Sequence, residues 1–378
     1  MIYLDNAATT PIHPYVWSEM KRFMQMSASL GNPSSIHSAG RAAKKILDDA
    51  RLEVAGFFNA SPSQIIFTSG GTESNRLAIA NAFNKSKSNS ILTTEIEHDS
   101  ADTISHIMFT DIHTTRISKN EAGELVMSVK KPLVETGVVS VMLRNNEVPI
   151  VWDDSVHIIE QMHEHGWITH ADAVQFAPHE VIDVNGQHKM FDSMSISGHK
   201  MYAPKGIGAL FIRKPAENHL YDASKQEFGI RRGTENMLGI VGLAAACRLF
   251  KTRRNKLIQR EKECAEAFEN CFLARLRERG VDDVRENGIC NGALASYMTG
   301  EDAETLVLMC DARGVAISAG AACNSYESKP SRVLKAIGLT DAEARQTIRV
   351  SFSAMQEPVN CGIGGEIVAD CIADLKGK

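Results

Sequence analysis

The sequence predicts an α/β protein built on a largely parallel sheet, followed by a smaller α+β unit. Two observations carry that reading. From about residue 35 to residue 250, short apolar runs alternate with segments whose apolar residues recur at helical spacing. Beyond Arg253 that alternation gives way to a long charged helix and a few isolated strand segments. A length of 378 residues agrees, since a chain of that size divides more readily into two units than it packs as one.

The strands expected in the first part are Gln64 to Thr68, Ser90 to Thr94, Val138 to Leu143, Trp167 to Ala171, Asp192 to Ile196 and Gly208 to Ile212. Ala42 to Phe58 and Ser155 to His165 carry apolar residues on one face and charges on the other, as crossover helices do. The change of texture falls inside one helix that begins near Leu238 and runs to about Arg279. Strands near Ala293 to Tyr297 and Val315 to Ser318 follow, separated by a helix from Asp302 to Arg313. The expected division is a large domain over residues 14–250 and a small domain formed by 1–13 plus 251–378. No internal repeat or low-complexity linker interrupts the chain.

Composition narrows the function classes. With 43% hydrophobic and 23% charged residues the chain reads as globular. Its 41 basic and 46 acidic residues leave a net charge of -5, so no global field favours nucleic acid, and direct nucleic-acid binding is not expected. The densest basic run, Lys251 to Lys256, lies in a helical stretch and reads as a solvated face. The first residues have no secretory pattern, and the longest mostly apolar run, Leu238 to Cys247, is far shorter than a membrane span. The expectation is a soluble cytoplasmic protein. Eight cysteines occur with no CxxC pair and no histidine at zinc spacing, so they read as free thiols and no metal site is expected.

Five places carry chemistry. In SGHKMYAPKG, Lys200 follows a strand at a turn, where partial desolvation lowers an amine pKa and suits it to bond an aldehyde cofactor; taken alone, a surface lysine in a loop reads the same way. In IIFTSGGTESN the chain passes from a strand through Gly70 and Gly71 into a helix whose first turn holds Thr72, an arrangement that offers amides and a hydroxyl to a phosphate; a plain capped turn reads the same way. HADAVQ sets Asp172 and Gln175 at a strand end, in the crevice where open α/β sheets bind ligands, and a buried carboxylate there pairs with a protonated pyridine nitrogen. His98 follows another strand and offers an imidazole that stacks on an aromatic ring. Cys323 sits in SAGAACNS, a run of small residues that buries little surface and reads as a loop with an accessible thiol; a packed free cysteine is the other reading of the same residues.

Eight segments then occur in one order: YLDNAATTP, GNPSSIH, FTSGGTESN, NNE, HADAVQ, SGHK, RRGTEN and SAGAACNS. Together they resemble the group I cysteine desulfurases, the NifS and IscS type, which depend on pyridoxal phosphate. The likeness spans nearly the whole chain. It implies fold type I of the pyridoxal phosphate enzymes, with a mostly parallel seven-stranded sheet in the large domain and the catalytic cysteine loop on the smaller α+β domain.

The resemblance also implies roles. Lys200 becomes the lysine bonded to the coenzyme and, once released by substrate, the proton carrier. His98 stacks on the ring, Asp172 pairs with its nitrogen and Gln175 contacts its phenolic oxygen. Thr72, Ser197 and His199 hold the phosphate, joined by Thr234 from the second subunit of a homodimer. Asn146 and Arg349 clamp the carboxylate of L-cysteine, with Arg349 suited to a bidentate grip. Cys323 takes the sulfur as a persulfide and passes it to an acceptor protein, leaving alanine. Ala321, Ala203, Arg232 and the IRVSFSAMQ segment depart from the usual pattern, and the short C-terminus leaves little of the region that docks an iron-sulfur scaffold. Iron-sulfur assembly, tRNA thiolation and DNA phosphorothioation all remain open as destinations of the sulfur. So do a selenocysteine lyase or aminotransferase of the same fold, and a homologue that docks partners without catalysis.

Overall fold

The apolar runs pair into one seven-stranded sheet: β1 (Ile65–Thr68), β2 (Ser90–Thr93), β3 (Asp111–Thr114), β4 (Val138–Met142), β5 (Ile168–Asp172), β6 (Ser193–Ser197) and β7 (Gly208–Ile212). Across the sheet the order is β1-β7-β6-β5-β4-β2-β3. Only β7 runs antiparallel to its neighbours, because the chain passes from Ser197 to Gly208 with no intervening α-helix. Every other pairing is parallel. The computed structural model describes residues 1–121, 124–130, 132–152, 156–214, 226–320 and 330–378.

Five of these strands are buried at every position and β5 at all but Ile168, as a sheet covered on both faces requires. The exception is β3, a half-exposed edge strand of sequence DIHT that lacks the apolar signal and is not among the expected strands. Arg116–Lys119, Leu125–Ser128 and Ile150–Trp152 form a separate three-stranded sheet that the sequence reading also lacks.

The helices follow from spacing and caps. In chain order they are α1 (Pro14–Met24), α2 (Ser38–Phe58), α3 (Gly71–Ser86), α4 (Asp99–Met108), α5 (His157–Glu164) and α6 (Met237–Glu278). In α2, His37 accepts the Gly40 amide at the start and Asn59 ends the helix in the left-handed region at φ 56°. Its buried Ala43, Leu47, Ala50 and Val54 recur every three or four residues and face the sheet. The 42 residues of α6 span about 63 Å at 1.5 Å per residue. Its first half, including Ile240, Leu243 and Phe250, joins the core around the large sheet, whereas Cys264, Phe268, Phe272 and Leu276 join a second core.

That second core lies between α6, α7 (Ala303–Ala312), a C-terminal helix Pro358–Leu375 and a four-stranded sheet. The sheet is centred on Leu294–Met298 and Thr347–Ser351, which pair antiparallel. The expected strand at Val315 to Ser318 divides: Val315–Ala316 pairs with Ile2–Tyr3, and Ser318–Ala319 pairs with Thr347–Ser351. The N-terminus therefore starts in this second core, with Asp5 bridging to Ser351, and then runs to the large sheet, where Thr10 bonds the His199 carbonyl. Among the described residues no helix is long and apolar enough to cross a membrane.

Candidate active site

Because β1, β2, β4, β5 and β6 all point the same way, the turns that follow them gather at one edge of the sheet, the usual ligand crevice of such folds. There they enclose a cavity of about 320 Å³, within the range of about 300–1,000 Å³ typical of small-molecule sites. Thr72, His98, Asn146, Asp172, Gln175, Ser197, His199, Lys200 and Arg349 all line it. Thr234 does not: it is exposed on the loop that precedes α6. Cys323 lies outside the described residues.

Asp172 ends β5 and is 4% exposed. One oxygen accepts the Val174 amide at 2.9 Å, and the other accepts Asn75 Nδ2 at 2.6 Å. Asn75 also donates to Ser100 Oγ at 2.9 Å, while its own oxygen lies 3.1 Å from His170 Nε2. Burial pushes His170 down to about 3, so it remains a neutral strut between Asn75 and Ser193. His98 caps α4: its Nδ1 accepts the Ser100 amide at 3.1 Å, which leaves the ring proton on Nε2. Asn75 and Ser100 thus tie the carboxylate and the imidazole into one frame, a link that no sequence spacing announces.

Lys200 follows β6 in a short 3-10 turn. Its Nζ donates to the Ala7 carbonyl and, at 2.8 Å, to that of Ala8, so the N-terminal segment forms one wall of the site. Gln175 Nε2 also holds the Ala7 carbonyl, at 2.9 Å. His199 is pushed down to about 4 by burial and by the neighbouring charges of Lys200 and Lys205, and its Nδ1 lies 3.3 Å from Thr9 Oγ1. Ser197 Oγ is buried with no hydrogen-bond partner among the described residues. It faces the turn before α3, where Gly70 takes φ 155°, a conformation that L side chains rarely adopt.

On the opposite wall stands Arg349, 1% exposed on strand Thr347–Ser351. Asp5 holds its Nη2 at 2.6 Å and the Asn146 carbonyl accepts Nη1 at 2.7 Å, while Nε has no partner. Asp5 is absent from the sequence reading because it sits 344 residues from its partner; its place in YLDNAATTP was the available signal. Next to Asn146, Glu147 is pushed up to about 7 by burial and accepts Ser331 Oγ at 2.5 Å. Beside His98, the fully buried Glu97 is pushed up to about 8 by desolvation, with the Asp172 charge adding to the shift. Its Oε1 accepts Thr94 Oγ1 at 2.6 Å and the Met142 amide at 2.7 Å, and its Oε2 has no partner.

This arrangement fits pyridoxal phosphate. Lys200 supplies the amine, and Asp172 supplies a carboxylate already oriented by two donors. The Ser197 Oγ, without a partner among the described residues and beside the Gly70–Gly71 start of α3, is a hydroxyl that a phosphate at a helix N-terminus would satisfy.

Comparison with known proteins agrees. The sequence matches the aminotransferase class-V family over residues 2–359. It is 36% identical to the cysteine desulfurase IscS of Dictyoglomus turgidum over 93% of this chain and 89% of that one. Over 99% of this chain and 93% of its relative it is 35% identical to the cysteine desulfurase IscS of Shewanella oneidensis. Among solved structures, a NifS-like protein superposes with a TM-score of 0.81 at 26% identity, covering 100% of this chain and 99% of its own. SspA in complex with cysteine gives 0.70 at 29% identity, covering 93% and 99%. The chain therefore belongs to the aminotransferase class-V family of pyridoxal phosphate enzymes, with its likeness centred on cysteine desulfurases of the NifS and IscS type.

Proposed function

We propose that the protein is a cysteine desulfurase that takes sulfur from L-cysteine, releases L-alanine and holds the sulfur as a persulfide on Cys323 until an acceptor protein collects it. The supporting observation is the meeting of Lys200, Asp172, His98 and Arg349 in one cavity, in a chain similar along its length to cysteine desulfurases. When bound, pyridoxal phosphate supplies an electron sink for the carbon that bears the substrate amine. Lys200 attaches the coenzyme and, once released, its amine carries the α-proton. Asp172 stabilises the protonated ring nitrogen, His98 covers the ring, and Gln175 meets the phenolic oxygen. Thr72, Ser197 and His199 hold the phosphate, together with Thr234 from the second copy in a homodimer.

Arg349, oriented by Asp5, and Asn146 grip the carboxylate of the incoming cysteine. Cys323, as thiolate, attacks the substrate sulfur. An S–S bond forms as the C–S bond breaks, and the carbon keeps the electron pair and takes up a proton to become the methyl group of alanine. The two cores support a division into residues 14–250 and residues 1–13 plus 251–378. A reducing cytoplasm suits this chemistry, and the seven described cysteines are free thiols.

The test is turnover with L-cysteine and a reductant, reading alanine and sulfide. Cys323→Ser is expected to keep the coenzyme absorbance and lose both products. Equal turnover in that variant would favour a selenocysteine lyase or aminotransferase of the same fold. Wild-type protein that takes up coenzyme yet is silent with cysteine would favour a partner-docking homologue.

A further inference from the structure

A second cavity of about 20 Å³ shares Ala7, Gln175 and Lys200 with the main one and is also lined by Asn6, Arg144, His179 and Glu261. A buried space holds a water once it exceeds about 10–15 Å³ and offers two to four polar partners. Two of these groups have hydrogen-bonding capacity to spare. Asn6 is 4% exposed and its Nδ2 donates to the Ser351 carbonyl at 2.9 Å, yet its Oδ1 has no partner among the described residues. The Arg144 guanidinium has no hydrogen-bond partner among the described residues and feels Glu261 and Glu180 only as neighbouring charges.

Glu261 connects this space to the outside. Its Oε1 accepts the Tyr202 hydroxyl at 2.7 Å and its Oε2 lies 3.1 Å from His179 Nδ1. The Glu261 side chain is 5% exposed and that of His179 is 14% exposed, so the histidine is the member that reaches solvent. Burial lowers the His179 pKa, which keeps the imidazole neutral and able to accept a proton.

We propose that this second cavity holds one ordered water that links Lys200 to Glu261 and His179 and gives the Lys200 amine a proton path to solvent. The water accepts from Lys200 and Arg144 and donates to Asn6 Oδ1 and Glu261, which completes its four hydrogen bonds. His179 takes a proton from bulk at Nε2 as its Nδ1–H gives one to the Glu261 carboxylate; Glu261 gives one to the water, and the water gives one to the Lys200 amine. One proton enters at His179 and one arrives at Lys200, with no change of oxidation state. The proposal rests on the reading of Lys200 as the carrier of the α-proton, and it makes Glu261 and His179 positioning residues that act through that amine.

Two measurements test it. A crystal structure of the chain at a resolution that shows buried waters is expected to place one within hydrogen-bonding distance of Asn6 Oδ1, Arg144 and Glu261; absence of that water overturns the proposal. In the holoenzyme, exchange of the α-proton of L-alanine in heavy water is expected to fall about 100-fold in His179→Ala, the low end of what a positioned proton carrier contributes. Added imidazole should restore it. Glu261→Gln should lose the same exchange without rescue while keeping the coenzyme absorbance. Unchanged exchange in His179→Ala, or a loss that imidazole does not restore, overturns the path. Wild-type protein that exchanges no α-proton would instead defeat the desulfurase reading, and the crystallographic water is read independently of it.

Discussion

The edge of the seven-stranded sheet and the core of the smaller unit both bury reactive atoms, but they do so in opposite ways. At the site the buried groups keep unused hydrogen-bonding capacity: among the described residues Ser197 Oγ at the sheet edge and Arg349 Nε on strand Thr347–Ser351 have no partner, and Asp172 is held by two donors with its carboxylate still facing a cavity. In the small core, sulfur is packed away. Cys310 is enclosed with Leu306, Phe272 and Val368, and its thiol is pushed up by the adjacent Cys371 and by burial. Burial likewise pushes Cys290 up to about 11. A thiol shielded from water stays protonated and inert, so burial by itself marks packing, whereas buried polarity with capacity to spare marks chemistry.

Mutations separate the two regions. The largest effect is expected from Lys200→Ala, which should remove the coenzyme absorbance and lower turnover on the order of 10⁴-fold, the upper range for a positioned proton carrier. Persistent turnover in that variant would dissolve the distinction between the regions. Phe272→Ala, in the small core, should cost about 3–5 kcal/mol of stability while turnover per folded molecule stays unchanged; denaturant unfolding beside a turnover assay reads both. Asp172→Asn should behave in reverse, with near-normal unfolding, weaker coenzyme binding and a rate loss on the order of 10²-fold.

A smaller effect sharpens the comparison through pH. Glu97 has its carboxyl pKa raised from 4.5 to about 8, so the folded protein binds a proton that the unfolded chain has already lost over that interval. The stability this group contributes is fully present below about pH 4.5 and is lost as pH rises to about 8. Glu97→Gln keeps a neutral side chain of the same shape. Melting curves should show the variant gaining on wild type from pH 5 to 8, with the difference level above that range; parallel curves would mean that Glu97 is charged in the fold.

The large sheet was legible because strands covered on both faces carry short apolar runs, and six of the seven were expected on that signal. The seventh, Asp111–Thr114, has one side in water and carries no such signal. The single antiparallel strand was hidden for a different reason, since direction depends on the connection rather than on the residues of Gly208–Ile212. At the site, the residues expected on strand-end turns line the cavity, because a parallel sheet brings all such turns to one edge. The supports were not legible. Asn75 reaches Asp172 across 97 positions, and Asp5 reaches Arg349 across 344, so neither has a local pattern to read. Thr234 is exposed on the loop before α6 and does not line the cavity.

The claim that a single thiol carries the sulfur is open to direct measurement. Holoenzyme exposed briefly to L-cysteine bearing heavy sulfur, then digested without reductant, should yield one extra labelled sulfur on the peptide containing Cys323 and none on peptides containing Cys247, Cys264, Cys271, Cys290, Cys310, Cys361 or Cys371. Label on any of those seven, or alanine formed with no labelled cysteine at all, would contradict it.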